Sequence, residues 1–273
     1  MTGERNSPNI PVMSDNKNLH NSKINKNDEY YTLTSDIARY VPYFSHLFEN
    51  KVIYCNCDNY KTSNFFKFLQ DNFFFYRIKR LVATCYNGNG HSFGFIKTRN
   101  GEKRFDLAGN GDFRSDECVS ILKHSDIVIT NPPFTLFRDF ISQLFEYEKD
   151  FIIIGHLTSS GYKAAFPNFM NGRLFAIDNY SQDFDTPKGE ISPVNCMWFT
   201  TFYCNHPELR LTEWYHPDRY PKFVNYDAIY VDKIREIPKD YYGVMGVPLT
   251  FLSQHNNEQF EILGITRGYC NMI

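Results

Sequence analysis

Asn131-Pro132-Pro133-Phe134 is the string in this chain whose residue types suit a definite chemistry. An exocyclic amino group or an amide is a poor nucleophile, because its nitrogen lone pair is delocalised. Hydrogen-bond acceptors aimed at the two N–H bonds favour a more pyramidal nitrogen, with its lone pair free to meet an electrophile. The Asn131 side-chain carbonyl can supply one acceptor and the Pro132 backbone carbonyl the other. Two successive prolines hold that second carbonyl rigidly. Phe134 can stack on the face of a planar ring drawn out of its own stack. Catalysis of this kind works by positioning and needs no strong base. The competing reading is a plain strand-to-helix turn with prolines at the helix start.

A second candidate stands 19 positions earlier (131 − 112), in Gly109-Asn110-Gly111-Asp112-Phe113. Asp112 can accept from the amino group of a cofactor's adenine ring, with Phe113 packed on that ring, although a Gly-Asn-Gly-Asp string is also an ordinary turn. Asn87-Gly88-Asn89-Gly90 lacks the Lys-Ser/Thr of a phosphate loop and reads as a hairpin turn. His124 and His156 stand alone and read as structural. The seven cysteines are odd in number and irregularly spaced, with no paired CxxC. They read as free buried thiols, with no metal site expected; Cys55-Asn56-Cys57 has no second half to complete a zinc site.

The elements that must position these residues follow from periodicity. Asp126 to Thr130 is a short β-branched strand, and the Asn-Pro-Pro-Phe loop sits at its carboxyl end, where α/β folds place ligands. Phe137, Phe140, Ile141, Leu144 and Phe145 then repeat at helical spacing. Upstream, Lys51–Cys55 reads as a first buried strand, Asn56–Asn59 as its loop, and Ser63 as the cap of a helix whose apolar face carries Phe65, Phe66, Phe68, Leu69 and Phe73. Lys79–Tyr86 is a second strand, followed by a polar hairpin insertion from Asn87 to Gly109. A helix starts at Ser115 with Asp116 and Glu117 in its first turn. Phe151–His156, Arg173–Ile177 and Val194–Tyr203 are further strands, with a polar loop expected from Asp178 to Pro193. Ahead of the first strand, Ile37, Tyr40, Val41, Phe44 and Leu47 suggest an amphipathic helix interrupted at Pro42. Apolar strand runs alternating with helices predict an α/β fold with a mostly parallel sheet covered on both faces. Residues 1–27, rich in Asn, Lys, Ser and Pro, read as a disordered tail, and 28–204 as the main domain. From about 205 to 273 prolines and tyrosines replace helical periodicity, which suggests a small loop-rich unit.

Composition narrows the partners. The chain has 273 residues with a formal net charge of −2, so bulk electrostatics does not mark it as a polyelectrolyte binder. Any nucleic-acid contact would use a local basic face and base contacts. The aromatic fraction of 17% is high, from 26 Phe and 19 Tyr against 2 Trp, and suits both a dense core and surfaces that stack on bases. No apolar run is long enough to cross a membrane and no signal pattern opens the chain, so a cytoplasmic protein with no membrane partner is expected.

With these residues in view, the chain resembles the adenine-specific DNA methyltransferases, and closely the EcoRI methylase family. The strings that carry the likeness are Asp28-Glu29-Tyr30-Tyr31-Thr32, Val52-Ile53-Tyr54-Cys55-Asn56-Cys57-Asp58, Ser63-Asn64-Phe65-Phe66-Lys67, Gly111–Ser115, Ser125–Phe134 and Tyr242–Pro248. The likeness spans about 28 to 263, after which the tail no longer resembles the family. It implies a Rossmann-like S-adenosylmethionine-dependent methyltransferase that modifies N6 of adenine, flipped out of double-stranded DNA, beside a restriction endonuclease. Carried over, Asn131, Pro132, Pro133 and Phe134 form the catalytic loop. Tyr30, Tyr31, Thr32, Cys55, Asn56, Cys57 and Asp58 line the methionine end of the cofactor, while Asp112 and Phe113 hold its adenine. Residues 205–273 become the target-recognition region. Two features depart from the wider methyltransferase pattern. Cys55-Asn56-Cys57-Asp58 replaces the usual glycine-rich loop, and Cys85-Tyr86 ends the second strand without the acidic residue that holds the ribose. RNA or a protein glutamine remains an alternative acceptor, and a non-catalytic DNA-binding relative a further reading.

Overall fold

The computed structural model describes residues 32–88, 90–185 and 191–266. Eight strands form one sheet: β1 (Val52–Cys55), β2 (Arg80–Thr84), β3 (Phe93–Thr98), β4 (Gly101–Asp106), β5 (Ile127–Thr130), β6 (Asp150–His156), β7 (Phe175–Asp185) and β8 (Ile191–Thr200), in the order β4-β3-β2-β1-β5-β6-β8-β7. The central pairs β2/β1, β1/β5 and β5/β6 are parallel; the flanking pairs are antiparallel. Only β3 and β8 therefore run against the other six strands of this sheet. The chain leaves β1 toward β2 on one side and returns through β5 and β6 on the other. The crevice between the carboxyl ends of β1 and β5 is thus a topological switch point, the place where open α/β sheets hold ligands.

Helices cover both faces because the strand side chains alternate. Ile53, Cys55, Ile127, Ile129, Ile152, Ile154 and Trp198 meet α1 (Thr34–Tyr40) and α2 (Asn64–Asp71). On the opposite face Val52, Tyr54, Val128, Phe151, Ile153 and Phe199 meet α3 (Asp116–Lys123), α4 (Phe137–Glu146) and α5 (Phe166–Met170). Ser63 caps α2 by accepting from the Phe66 amide at 3.1 Å, and Ser115 caps α3 by accepting from Cys118. The segment after Tyr40 tightens into a 3-10 helix over Val41–Leu47 with Pro42 in its first turn. Gly155 in β6 lets α4 approach closely, since a Cβ there would lie 2.3 Å from the Phe137 ring.

Two expectations change. Asp178–Pro193 is not a loop: β7 runs to Asp185 and β8 begins at Ile191, and the two pair antiparallel from Phe175↔Thr200 to Asp185↔Ile191 across a register shift between Ala176 and Asn179. Sequence polarity signalled a loop there, but backbone pairing satisfies the ladder whatever the side chains are. The pairing of β6 with β8 ends at His156↔Cys196, so five further β7/β8 pairs overhang the carboxyl edge, by roughly 17 Å at ~3.4 Å per residue. The Asn87–Gly109 segment does contain a hairpin, but it extends the main sheet as β3 and β4 and turns between Thr98 and Gly101.

Beyond Thr200 the chain makes short 3-10 turns and a two-stranded parallel pair, β9 (Ile229–Tyr230) with β10 (Met245–Gly246). Tyr220, Ile229, Val231, Ile237 and Phe251 form its own apolar cluster. The 3-10 turn Leu249–Gln254 joins that cluster to the main core, with Phe251 facing one and Leu252 the other. Among the described residues no helix is long and apolar enough to cross a membrane. The expected tail of 1–27 lies outside the described residues, as do Tyr30 and Tyr31.

Candidate active site at the switch point

A cavity of about 380 Å³ opens at the carboxyl edge, within the size range of small-molecule sites. Its wall gathers segments far apart in sequence: Thr32, the β1 loop Asn56–Asn59, the start of α2, Cys85-Tyr86 after β2, Asn110–Arg114, and the Asn131 loop. Of the residues singled out from sequence, Thr32, Asn56, Cys57, Asp58, Asp112, Phe113, Asn131 and Pro133 line it. Cys55, Pro132 and Phe134 do not. Cys55 points into the core beneath α2, Pro132 is buried, and Phe134 is half-buried against the α1/α2 core layer. After Pro133 the chain makes a 3-10 turn over Phe134–Leu136 before α4 begins, closed by Leu136 N–H on the Pro133 carbonyl at 3.0 Å.

Thr32 ties two walls together. Its hydroxyl accepts from Asn131 Nδ2 at 3.2 Å and its carbonyl accepts from Asn64 Nδ2 at 2.8 Å. Asn131 is thereby oriented by a group 99 positions away, which no spacing rule could reveal. Asn56 is 2% exposed, and its Oδ1 has no hydrogen-bond partner among the described residues. A buried carbonyl oxygen left open on a cavity wall suits a donor ligand such as an ammonium group.

Asp58 is the most constrained carboxylate of the site. One oxygen accepts from Ser63 Oγ at 2.5 Å, the other from Thr130 Oγ1, and its own N–H donates to the Thr84 carbonyl at 2.9 Å. Burial raises its pKa to about 6, against the lowering effect of those two hydroxyl hydrogen bonds. Burial, with Asp58 nearby, also pushes the Cys55 and Cys57 thiols well up, so both stay neutral.

On the opposite wall Gly111 has φ +77°, and a Cβ there would lie 2.1 Å from the Cys85 carbonyl oxygen. Only glycine lets the chain pass so close to the end of β2. Asp112 is held by a fork from Arg114, with Nε–Oδ1 at 3.0 Å and Nη2–Oδ2 at 2.8 Å. Burial alone would raise Asp112, but hydrogen bonds and charge from Arg114 outweigh it and keep the carboxyl below its usual range. Phe113 is 4% exposed and packs edge-on against Phe140, so it backs the cavity more than it projects into it.

The sequence reading missed Asn64, Arg114 and Tyr86 as wall residues and Thr130 as a partner of Asp58. Arg114, next to the Asp112-Phe113 pair, offered a signal in its position; Thr130 offered none. His124 and His156 do close local turns: His124 Nδ1 donates to the Ser120 carbonyl at 2.7 Å, and His156 Nδ1 accepts from the Thr158 amide at 3.2 Å.

A ligand crevice between β1 and β5, walled in part by Asn131 and Pro133, has the layout of a Rossmann-like methyltransferase. Known proteins narrow the class. The family model described as "Adenine-specific methyltransferase EcoRI" matches residues 18–108, 94–190 and 178–272. The Type II methyltransferase M.EcoRI of Escherichia coli is 40% identical over 93% of this chain and 90% of its own length. M.MpnI of Mycoplasma pneumoniae is 38% identical (90% of this chain, 84% of its own), and M.MgeORF184P of Mycoplasma genitalium 37% (90% and 85%). The chain belongs to the EcoRI family of adenine-specific methyltransferases. The match continues past Leu263 to residue 272, so the expected loss of likeness in the tail is corrected.

Proposed function

We infer that this protein transfers a methyl group from S-adenosylmethionine to N6 of an adenine within a specific sequence of double-stranded DNA, as the modifying partner of a restriction endonuclease in the cytoplasm. The observation that carries the reading is the Asn131 loop, held by Thr32 on the wall of the switch-point cavity.

The residues present fit the cofactor. Asn56 Oδ1 offers an open acceptor for the methionine ammonium, with Thr32 and Cys57 beside it, while Asp58 on the same wall turns its two oxygens to Ser63 and Thr130. Asp112 retains lone pairs for the adenine amino group although Arg114 occupies part of its capacity, and Phe113 backs the ring. The Asn110 and Asn59 amides and the Thr62 hydroxyl on the same wall supply polar groups for the ribose in place of an acidic residue. When bound, the cofactor supplies an electrophilic methyl carbon on a sulfonium. The protein's own part is orientation. The carbonyls of Asn131 and Pro132 accept from the target amino group, Pro133 keeps the second carbonyl rigid, and Phe134 stacks on the flipped base. Tyr30 and Tyr31 complete the methionine end in this reading.

Residues 205–273 serve as the target-recognition region. In support, Arg210, Lys222 and Arg235 are exposed there, as are Trp214, Tyr226 and Tyr242, whereas Arg219 is engaged by Glu213 at 3.1 Å. The overhanging β7/β8 ribbon points beyond the same edge.

The deciding experiment is sequencing of DNA from a host making the protein, with detection of modified bases, next to an acceptor screen using labelled cofactor. N6-methyladenine at one recurring sequence is expected, and Asn131→Ala should abolish it while cofactor affinity stays within a few-fold. Label appearing on RNA or on a protein glutamine, with DNA unmodified, overturns the reading. Absence of measurable cofactor binding would favour a DNA-binding relative without catalysis.

A further inference from the structure

We propose that Asp58, in its ionised form, is a positioning residue that locks the Asn131 loop to the cofactor loop across the switch-point crevice. This rests on the function inferred above. The ladder between β1 and β5 ends at Tyr54↔Val128, while β5 stays paired with β6 up to Thr130↔Ile153. Beyond Tyr54 the two loops that must act together are no longer joined by their strands. Asp58 spans that gap: it accepts from Thr130, the residue just before Asn131, and from Ser63, the cap of α2, while its amide holds the end of β2. One residue thereby fixes three elements around the cavity, two through its side chain and one through its backbone amide.

Its surroundings are unusual for a carboxylate that is only 6% exposed. Among the described residues its neighbours are neutral: Cys55 and Cys57 on its own segment, the Ser63 hydroxyl from α2, the Thr130 hydroxyl from β5 and the Thr84 carbonyl from β2. Among the described residues the nearest charged pair on the cavity wall, Asp112 with Arg114, neutralises itself. Among the described residues no cation pairs with this carboxylate, so its charge lowers stability. An ionised acceptor, however, draws both hydroxyls into short, directed hydrogen bonds that a neutral amide would match only loosely. The burial-raised pKa of about 6 is consistent with an anion that forms at neutral pH and is lost below it. The residue thus stands in the position expected of a group retained for geometry at the expense of stability.

The test uses the full-length protein with cofactor and a duplex carrying its target sequence. Asp58→Asn should lower kcat by about a hundredfold, the scale of a small misplacement of reacting groups, with cofactor affinity within about threefold. Its melting temperature at pH 7.5 should rise, where loss of a merely structural hydrogen-bond hub would lower it. The wild-type kcat should fall about tenfold per pH unit below pH 6, and this limb should be missing in the variant. Thr130→Val should reproduce the loss of kcat, Thr130→Ser should restore it, and the Asp58→Asn/Thr130→Val pair should be no worse than either single change. An Asp58→Asn enzyme with wild-type kcat and an unchanged acid limb overturns the proposal. So does a variant that melts lower and loses activity only through unfolding, with Thr130→Val fully active. In either case an inactive Asn131→Ala alongside would leave the inferred reaction intact.

Discussion

In the inferred reaction Asn131 faces the reacting nitrogen, while Asp58 bonds to the scaffold at Ser63 and Thr130. Asn131→Ala removes an acceptor that acts in the transition state, so kcat and kcat/KM should fall together by about 10²–10³; steady-state kinetics on a target duplex would read this. Burial holds the Asp58 carboxyl at about 6 in the folded protein, above the ordinary carboxylate range of an unfolded chain. The folded state therefore keeps a proton that the unfolded chain has already lost. Stability from this group is gained as pH falls from about 6 toward 4, and is absent above that window. A shift of roughly two units corresponds to about 3 kcal/mol. Chemical denaturation of the wild type between pH 7.5 and 4.5 should show that gain before other carboxylates begin to titrate, and Asp58→Asn should flatten it.

At the scale of elements, the site depends on how closely its segments approach. Gly111 is the tightest point: a methyl group would collide with the Cys85 carbonyl in a backbone conformation that side-chain-bearing residues avoid. Gly111→Ala should push Asp112 and its loop away from the end of β2, costing about 1–3 kcal/mol in strain. Titration calorimetry should then show cofactor affinity reduced at least tenfold while the Asn131 loop is untouched; an unchanged affinity would mean that Asp112 does not hold the cofactor. The α4 helix anchors the other end of the catalytic loop through Phe137, Phe140, Ile141 and Leu144, all fully buried. Phe140 backs Phe113 as well, with ring centroids 5.1 Å apart. Phe140→Ala should therefore cost about 3–5 kcal/mol and loosen the Asp112 wall in the same step.

For the molecule as a whole, a net charge of −2 argues that DNA binding draws on few phosphate contacts. If Arg210, Lys222 and Arg235 are the cations that meet phosphates, log K should fall with log salt at a slope of about −3. Fluorescence anisotropy across a salt series measures it directly. A slope near −8 would show a basic face that the C-terminal region does not supply.

The chain by itself determined the alternating strands and helices, because hydrophobic periodicity is a local record of which face each segment buries. It also determined the caps at Ser63 and Ser115, and it singled out the Asn131 loop that the fold places on the cavity wall. Tertiary structure decided what depends on pairing between distant segments. The β7/β8 ribbon was hidden because its polar residues look like a loop until a partner strand satisfies their backbone. Asp58 was legible as part of the cofactor loop and Thr130 as plain strand, but their contact across 72 positions was not. Cys55, read as a site residue from its string, instead faces the core, since alternation along β1 sets its direction. Local sequence records propensity and burial. Which buried polar groups satisfy one another is settled only when the sheet order places β1 beside β5.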